Sequence, residues 1–290
     1  MKLEITHKKF VDQLKSEGKS EATVVAYNKD IEQIVTFVAK DGVLDVEDLK
    51  IENLQAFMNS LVEQNYTPKS ISRKTNAART FIKYLTKEGY IKVDISDQLK
   101  HPKLDIKAPR ILSKLEYRAL RDSAKDDSRS YAMIEVLLQT GATISELAGI
   151  KLENLDIKDE AKTLFIGKKN NRIERTVPLN KAVVEAIKKY VDGARPKVEK
   201  TTHLFITKTG RPLLVRNIRS TIDRYFKIAG VEGAKVNDLR HTFVAHHLRN
   251  GFNITLLSKI AGHKRVSTTE RYLQYIEKPE KMDKTELSIL

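Results

Sequence analysis

Apolar residues recur at three- and four-residue spacing through the first hundred positions. Phe10, Val11 and Leu14 begin one stripe; Val24, Tyr27, Ile31, Ile34, Val35 and Val38 continue it; Leu54, Phe57, Met58, Leu61 and Val62 form another. That period turns one face of a helix toward a core, so His7 to about Leu99 is expected to be a small all-helical bundle. In Ser70 to Lys87, Ile71, Ala78, Phe81, Ile82 and Leu85 take the core side, while Lys69, Arg73, Lys74, Arg79, Lys83 and Lys87 supply positive charge. The stretch QLKHPKLDIKAPR that follows is polar and carries Pro102 and Pro109, each of which biases the residue before it away from helix. It reads as a linker, dividing the chain into a helical domain at 1–99, a connection at 100–110 and a second domain at 111–290.

The second domain opens on a capping box, Ser113 and Glu116, ahead of Leu115 and Leu120. Thr163 to Ile166 and Ile173 to Leu179 are short β-rich runs separated by GKKNNR, the pattern of a hairpin with a longer loop. Lys181 to Asp192, Arg216 to Ala229, Asp238 to Arg249 and Ile254 to Ala261 read as helices, and no internal repeat interrupts them. The expected fold is mainly α, with one small β-hairpin in the second domain.

Composition adds a partner. The 290 residues hold 53 Lys and Arg against 38 Asp and Glu, a formal charge of +15, which suits a polyanion such as nucleic acid. Taken alone, the Ser70 to Lys87 cations would be a solvated helix face; with a nucleic-acid partner they could lie on phosphates or in a major groove. Cysteine is absent, which excludes disulfides, thiolate catalysis and cysteine-ligated metal. With no long apolar run and no hydrophobic N-terminal stretch, a cytoplasmic location is expected.

Three segments carry more specific chemistry: TGATISELAGIKLENLDI (140–157), LFIGKKNNRIERTVPL (164–179) and NDLRHTFVAHHLRNGFNITLLSKIAGHKRVSTTERY (237–272). In order and spacing they resemble the catalytic domain of tyrosine recombinases, the phage integrase family that includes the Xer chromosome-dimer resolvases. The helical first domain and basic linker are similar to that family's core-binding (SAM-like) domain and its connection, so the resemblance spans essentially the whole chain. It implies a site-specific DNA recombinase, serving integration, excision or resolution, that needs neither cofactor nor metal. Its partners would be double-stranded DNA bearing a recombination site, further copies of itself as a homotetramer on paired sites, and an accessory protein or a paralogous recombinase.

On this resemblance Tyr272 is the nucleophile that attacks the scissile phosphate, forming a 3′-phosphotyrosyl link and releasing a 5′-hydroxyl. A phenol ionises only near pH 10, so it needs a proton acceptor or a strongly positive site. Arg240 falls on the second arginine of the family, whose planar fork suits phosphate oxygens. His263 falls on a histidine that hydrogen-bonds the phosphate, and Lys168 on the lysine that protonates the departing oxygen, with Lys169 an adjacent alternative. Lys69, Arg73, Lys74, Arg79 and Lys83 are the candidate DNA contacts of the first domain.

Two positions depart from the pattern. Thr143 stands where an arginine is expected, and Asn237 where a histidine or lysine is expected. Loss of one preorganised donor costs roughly 10²- to 10³-fold in rate, so a second reading is an accessory or regulatory DNA-binding protein with little strand cleavage. Thr143 and Glu146 form a T-x-x-E capping box, which gives the threonine a structural use; Lys169, Arg172 and Arg175 are candidates to replace the missing charge. The Asn237 amide still donates a hydrogen bond but cannot shuttle a proton. A regulator of helix-turn-helix type is a third reading, and covalent attachment to DNA separates the three. His241, His246, His247 and His263 cluster in sequence, but without an HExxH pattern or cysteines they suit packing and phosphate contact better than zinc. Tyr275 is the better candidate for a core tyrosine, and the charged tail ending in LSIL is expected to dock on a neighbouring protomer.

Overall fold

Helices α1 (Leu3–Ser16), α2 (Glu21–Ala39), α3 (Ile51–Glu63) and α4 (Pro68–Lys87) form where the apolar stripes lie. The Ser20 hydroxyl accepts from the Thr23 N–H at 3.2 Å to start α2, and Thr67 does the same for Ser70 at 3.3 Å with Pro68 preset at the first helical position. The structure, a computed structural model, describes residues 1–103, 107–157, 162–168, 173–198, 201–277, 279 and 281–290. It divides into two units, Met1–Ile106 and Lys107–Leu290. Phe10, Ile31, Ile34, Phe57, Phe81 and Leu85 fill the core of the first unit, where the rings of Phe10 and Phe81 lie 5.2 Å apart. Val62 departs from its stripe and is 61% exposed, because it lies one residue, about 100° of helix, beyond the buried Leu61.

The second unit contains α5 (Lys114–Ser123), α6 (Ser128–Thr140), α7 (Ile144–Gly149), α8 (Lys181–Lys188), α9 (Val215–Ile228), α10 (Val236–Arg249), α11 (Ile254–Ala261) and α12 (Val266–Glu270). A six-residue π-helical stretch, Lys189–Ala194, continues α8, and a 3₁₀ turn, Arg271–Gln274, follows α12. Along α6 every residue from Ala132 to Thr140 is buried, so it runs through the core rather than along its edge, packed between α8 and α10. Leu120 meets that core as expected, whereas Leu115 faces outward, 80% exposed.

The sheet of this unit is antiparallel, in the order β1 (Leu155–Asp156), β2 (Thr163–Ile166), β3 (Arg175–Pro178). Leu164 pairs with Val177 and Ile166 with Arg175, and these four point inward while Phe165 and Thr176 face solvent, the alternation a one-sided sheet requires. The hairpin was expected; β1 was not, since two residues are too few to show a period. Ile173, assigned to the second strand from the sequence, precedes it and is 56% exposed.

The chain end packs back onto its own unit. Lys284 exchanges backbone hydrogen bonds with Gly251 and Asn253, and Leu290 is buried. The Leu290 carbonyl accepts from Arg121 at 2.9 Å and from Gln139 at 3.2 Å, and the Leu290 N–H donates to Gln139 at 3.1 Å. Among the described residues no helix is long and apolar enough to cross a membrane.

Candidate active site

Helix α10 places Asn237, Arg240 and His241 three and four residues apart, so they share one side of the helix. The 3₁₀ turn after α12 brings Tyr272 against that side. Its phenol oxygen lies 2.6 Å from Nδ1 of His241, and Nε2 of the same ring lies 2.7 Å from Nδ2 of Asn237. Tyr272 is only 7% exposed, and Tyr275 is the less buried of the two tyrosines, the reverse of the sequence expectation. Burial pushes the Tyr272 phenol up from its ordinary value, with Arg240 and Arg271 pulling the other way. Burial likewise pushes His241 down, against an upward pull from Asp238.

Arg240 is 4% exposed, and its guanidinium donates to the carbonyl of Gly141. Gly141 ends α6 with φ +63°, and a Cβ there would sit 2.4 Å from the Phe243 ring, which explains why the segment begins Thr-Gly. His263 follows Gly262, the left-handed cap of α11. Its Nδ1 is 2.8 Å from the Thr269 hydroxyl, and its ring lies nearly parallel to that of Tyr272, 6.4 Å away and tilted by 14°.

Thr143 forms its capping box: the hydroxyl accepts from the Glu146 N–H at 3.3 Å, and the Glu146 carboxylate accepts from the Thr143 N–H at 2.7 Å. That carboxylate also receives Arg175, at 2.9 and 3.1 Å, and Arg175 Nε donates to the Ile260 carbonyl at 2.6 Å. Burial would raise the Glu146 carboxyl, but the Arg175 hydrogen bonds and charge, with the Thr143 N–H, outweigh it and bring it to about 2. Arg175 is therefore committed to Glu146 and does not stand in for the charge absent at Thr143. Lys169 and Arg172, the other two candidates, lie outside the described residues.

Beside Thr143 an open cavity of about 460 Å³ is lined by Ala142, Arg219, Asp223, Lys235, Asn237 and Arg240. Arg219 and Lys235 come from α9 and from the residue preceding α10, outside any motif, and only their contribution to the net charge could have signalled them. His241 was likewise missed; its position next to Arg240 was visible, its contact with Tyr272 was not. Lys168 stands exposed just beyond β2. Of the other two histidines on α10, His247 is wedged against Phe243 and Phe252, ring centroids 4.5 and 5.6 Å away, and His246 meets the Ser288 hydroxyl at 3.0 Å.

The cations of α4 divide in two. Lys69, Arg73 and Lys83 are exposed, although Arg73 also bonds Asp30. Lys74 departs from its expected place on the outer face: it is 3% exposed and its ammonium binds the buried Asp30 at 2.9 Å and the Gln33 side chain. Arg79 is partly occupied, donating to the Ser96 carbonyl at 2.8 Å and to Asp97 at 3.0 Å.

Residues 107–278 match the model of the phage integrase family, and residues 8–89 that of the phage integrase N-terminal SAM-like domain. The chain is 32% identical to the tyrosine recombinase XerC of Natranaerobius thermophilus, over 91% of each chain, and 30% identical to the tyrosine recombinase XerD of Staphylococcus aureus, over 88% of each. Among solved structures, the XerA recombinase is 25% identical with a TM-score of 0.53, covering 93% of this chain and 92% of that one. A XerH site-specific recombinase bound to its palindromic difH substrate shares the fold at 18% identity and a TM-score of 0.75, covering 88% and 76%. A lambda integrase tetramer bound to a Holliday junction shares it at 16% identity and 0.72, covering 92% and 79%.

Proposed function

The chain belongs to the phage integrase family of tyrosine recombinases, and on that footing we propose that it is a site-specific recombinase that cuts and rejoins double-stranded DNA through a 3′-phosphotyrosyl link at Tyr272. The observation that carries this reading is the meeting of Tyr272, Arg240 and His263, from three separate elements of the second unit, around one buried phenol. In the proposed reaction Arg240 holds a non-bridging phosphate oxygen, His263 donates to the charge that builds on the phosphorane, and Lys168 protonates the departing 5′-oxygen. Exchanging one phosphate ester for another conserves the bond energy, so strand joining needs no nucleotide.

A formal charge of +15 and the exposed Lys69, Arg73 and Lys83 of α4 supply the sequence-independent part of DNA affinity. Four copies on two paired sites would be the working assembly, lambda integrase itself forming a tetramer on a Holliday junction, and a DNA target inside the cell would put the reaction in the cytoplasm. The test is covalent trapping on nicked suicide duplexes made from the DNA flanking the gene, beside Tyr272→Phe. An SDS-resistant protein–DNA band absent from the variant is the expected result. Retarded native complexes with no covalent band would make the protein an accessory DNA-binding member of the family, the reading that Thr143 favours.

A further inference from the structure

The side chains of Tyr272, His241 and Asn237 form one continuous hydrogen-bonded chain. The phenol oxygen is 2.6 Å from Nδ1 and the amide 2.7 Å from Nε2, so the imidazole is gripped at both nitrogens. Resting on the assignment of Tyr272 as nucleophile, we propose that His241 is the base that takes the phenol proton during attack, and that Asn237 is a positioning residue that holds the imidazole in the tautomer this requires.

The distance from phenol to imidazole is that of a working general base. Need follows from burial: a phenol shielded from water resists ionising in advance, so its proton must leave as the bond to phosphorus forms. Availability follows from burial too, since a desolvated imidazole stays neutral at pH 7 and keeps a lone pair to offer. Around the pair, Asp238 and Arg240 act on His241 from its own helix, and Arg240 and Arg271 act on Tyr272, whose ring also lies against His263.

Asn237 decides which imidazole nitrogen carries the proton. Its Nδ2 faces Nε2, the arrangement in which Nδ1 is protonated and donates to the phenol oxygen. Asn237 is exposed, and a half-turn of its amide exchanges Nδ2 for Oδ1 without changing its shape. With Oδ1 accepting from Nε2–H, the Nδ1 lone pair faces the phenol. Because an amide takes up no proton itself, it orients the ring without competing for the one being moved. The substitution that looks like a loss in the sequence thus becomes the support of a neighbouring base.

The step balances as follows. Tyr272 Oη bonds to phosphorus as its proton passes to His241 Nδ1; the bond from phosphorus to O5′ breaks, and that oxygen takes a proton from Lys168. In religation the 5′-hydroxyl attacks, its proton returning to Lys168, while the phenol oxygen leaves and recovers its proton from His241.

The experiment measures the single-turnover rate of covalent complex formation on a nicked suicide duplex from pH 5.5 to 9, with DNA binding followed on the same preparations. For the wild type the rate should climb with pH below the ordinary histidine value near 6.5 and then level off. His241→Gln should bind DNA yet react roughly 10²- to 10⁴-fold more slowly at pH 7. Its rate should rise about tenfold per pH unit up to pH 9, hydroxide replacing the lost base. Asn237→Asp, whose carboxylate accepts from Nε2–H and favours imidazolium, should stay active with its acid limb moved to higher pH, a second measurement that does not depend on how His241→Gln folds. A wild type that forms covalent complex while His241→Gln follows it in rate and profile, or an Asn237→Asp limb that does not move, overturns this inference alone. A wild type that forms no covalent complex at any pH overturns the recombinase reading and this inference with it.

Discussion

Replacing Thr143 with arginine puts a guanidinium where the resemblance to the family implies one and this chain has a hydroxyl. The new side chain would enter an open cavity of about 460 Å³ whose wall already holds Arg240. A preorganised donor aimed at a phosphate is worth roughly 10²- to 10³-fold in rate, about 2.7–4 kcal/mol. Against this stands the lost cap, whose hydroxyl receives the Glu146 N–H at 3.3 Å; removing such a cap costs about 1 kcal/mol. The start of α7 should survive, because Glu146 still accepts the backbone N–H of residue 143 and remains paired with Arg175. Arg219 and Lys235 add like charge across the cavity and Asp223 opposes them, so the free protein bears a further small cost that bound phosphate removes. Thr143→Arg should therefore melt about 2–4 °C lower and form covalent complex on a suicide duplex roughly a hundredfold faster. A variant that folds and binds DNA but gains no rate would refute the argument, showing that charge at this position does not limit cleavage.

The pair of Arg175 and Glu146 yields a second prediction: Arg175→Ala should lower unfolding stability by about 3–5 kcal/mol in urea titrations, since it strands a buried carboxylate. The folded Glu146 carboxyl is depressed from 4.5 to about 2, so its contribution is full above pH 4.5 and fades as pH falls toward 2; Glu146→Gln should remove that portion of the acid sensitivity. His247, depressed by burial from 6.5 to about 3, is held neutral: its contribution is full above pH 6.5 and is lost on acidification toward 3, so His247→Phe should flatten stability across that window, as read from melting temperature against pH. In the first unit, Lys83→Ala should weaken DNA binding and reduce its salt slope by about one, whereas Lys74→Ala should leave the salt slope alone and destabilise the fold, because its ammonium is spent on Asp30.

How much of this could be read from the chain depended on the range of the interaction. Helices and capping boxes are local, and Ser113 with Glu116 and Thr143 with Glu146 formed as their spacing implied. Interactions between distant segments were another matter. Nothing in the composition of α4 separates Lys74, which turns inward to Asp30, from Lys83, which does not. Arg175 looked as free as Arg172 to reach a phosphate until Glu146 and the Ile260 carbonyl were seen to hold it. The meeting of His241 with Tyr272 spans 31 positions and exists only once the turn after α12 is folded against α10. Motifs pointed to Tyr272, Arg240 and His263, which lie near one another, and to Lys168, which stands apart beyond β2; the partners of each had to come from the structure.

The single guanidinium of Arg175 also sits under Gly262, 2.7 Å from where a Cβ would be, so one side chain joins the start of α7, strand β3, the end of α11 and the glycine before His263. Segments fastened to a common point do not come loose one at a time. Amide hydrogen exchange at Glu146, Arg175 and Gly262 should accordingly proceed at one shared rate, that of the whole unit opening, rather than through separate local fluctuations. Were the proposed roles of Tyr272, Arg240 and His263 right, such coupling would be protective: a form with the nucleophile in place and the groups around it displaced would be rare.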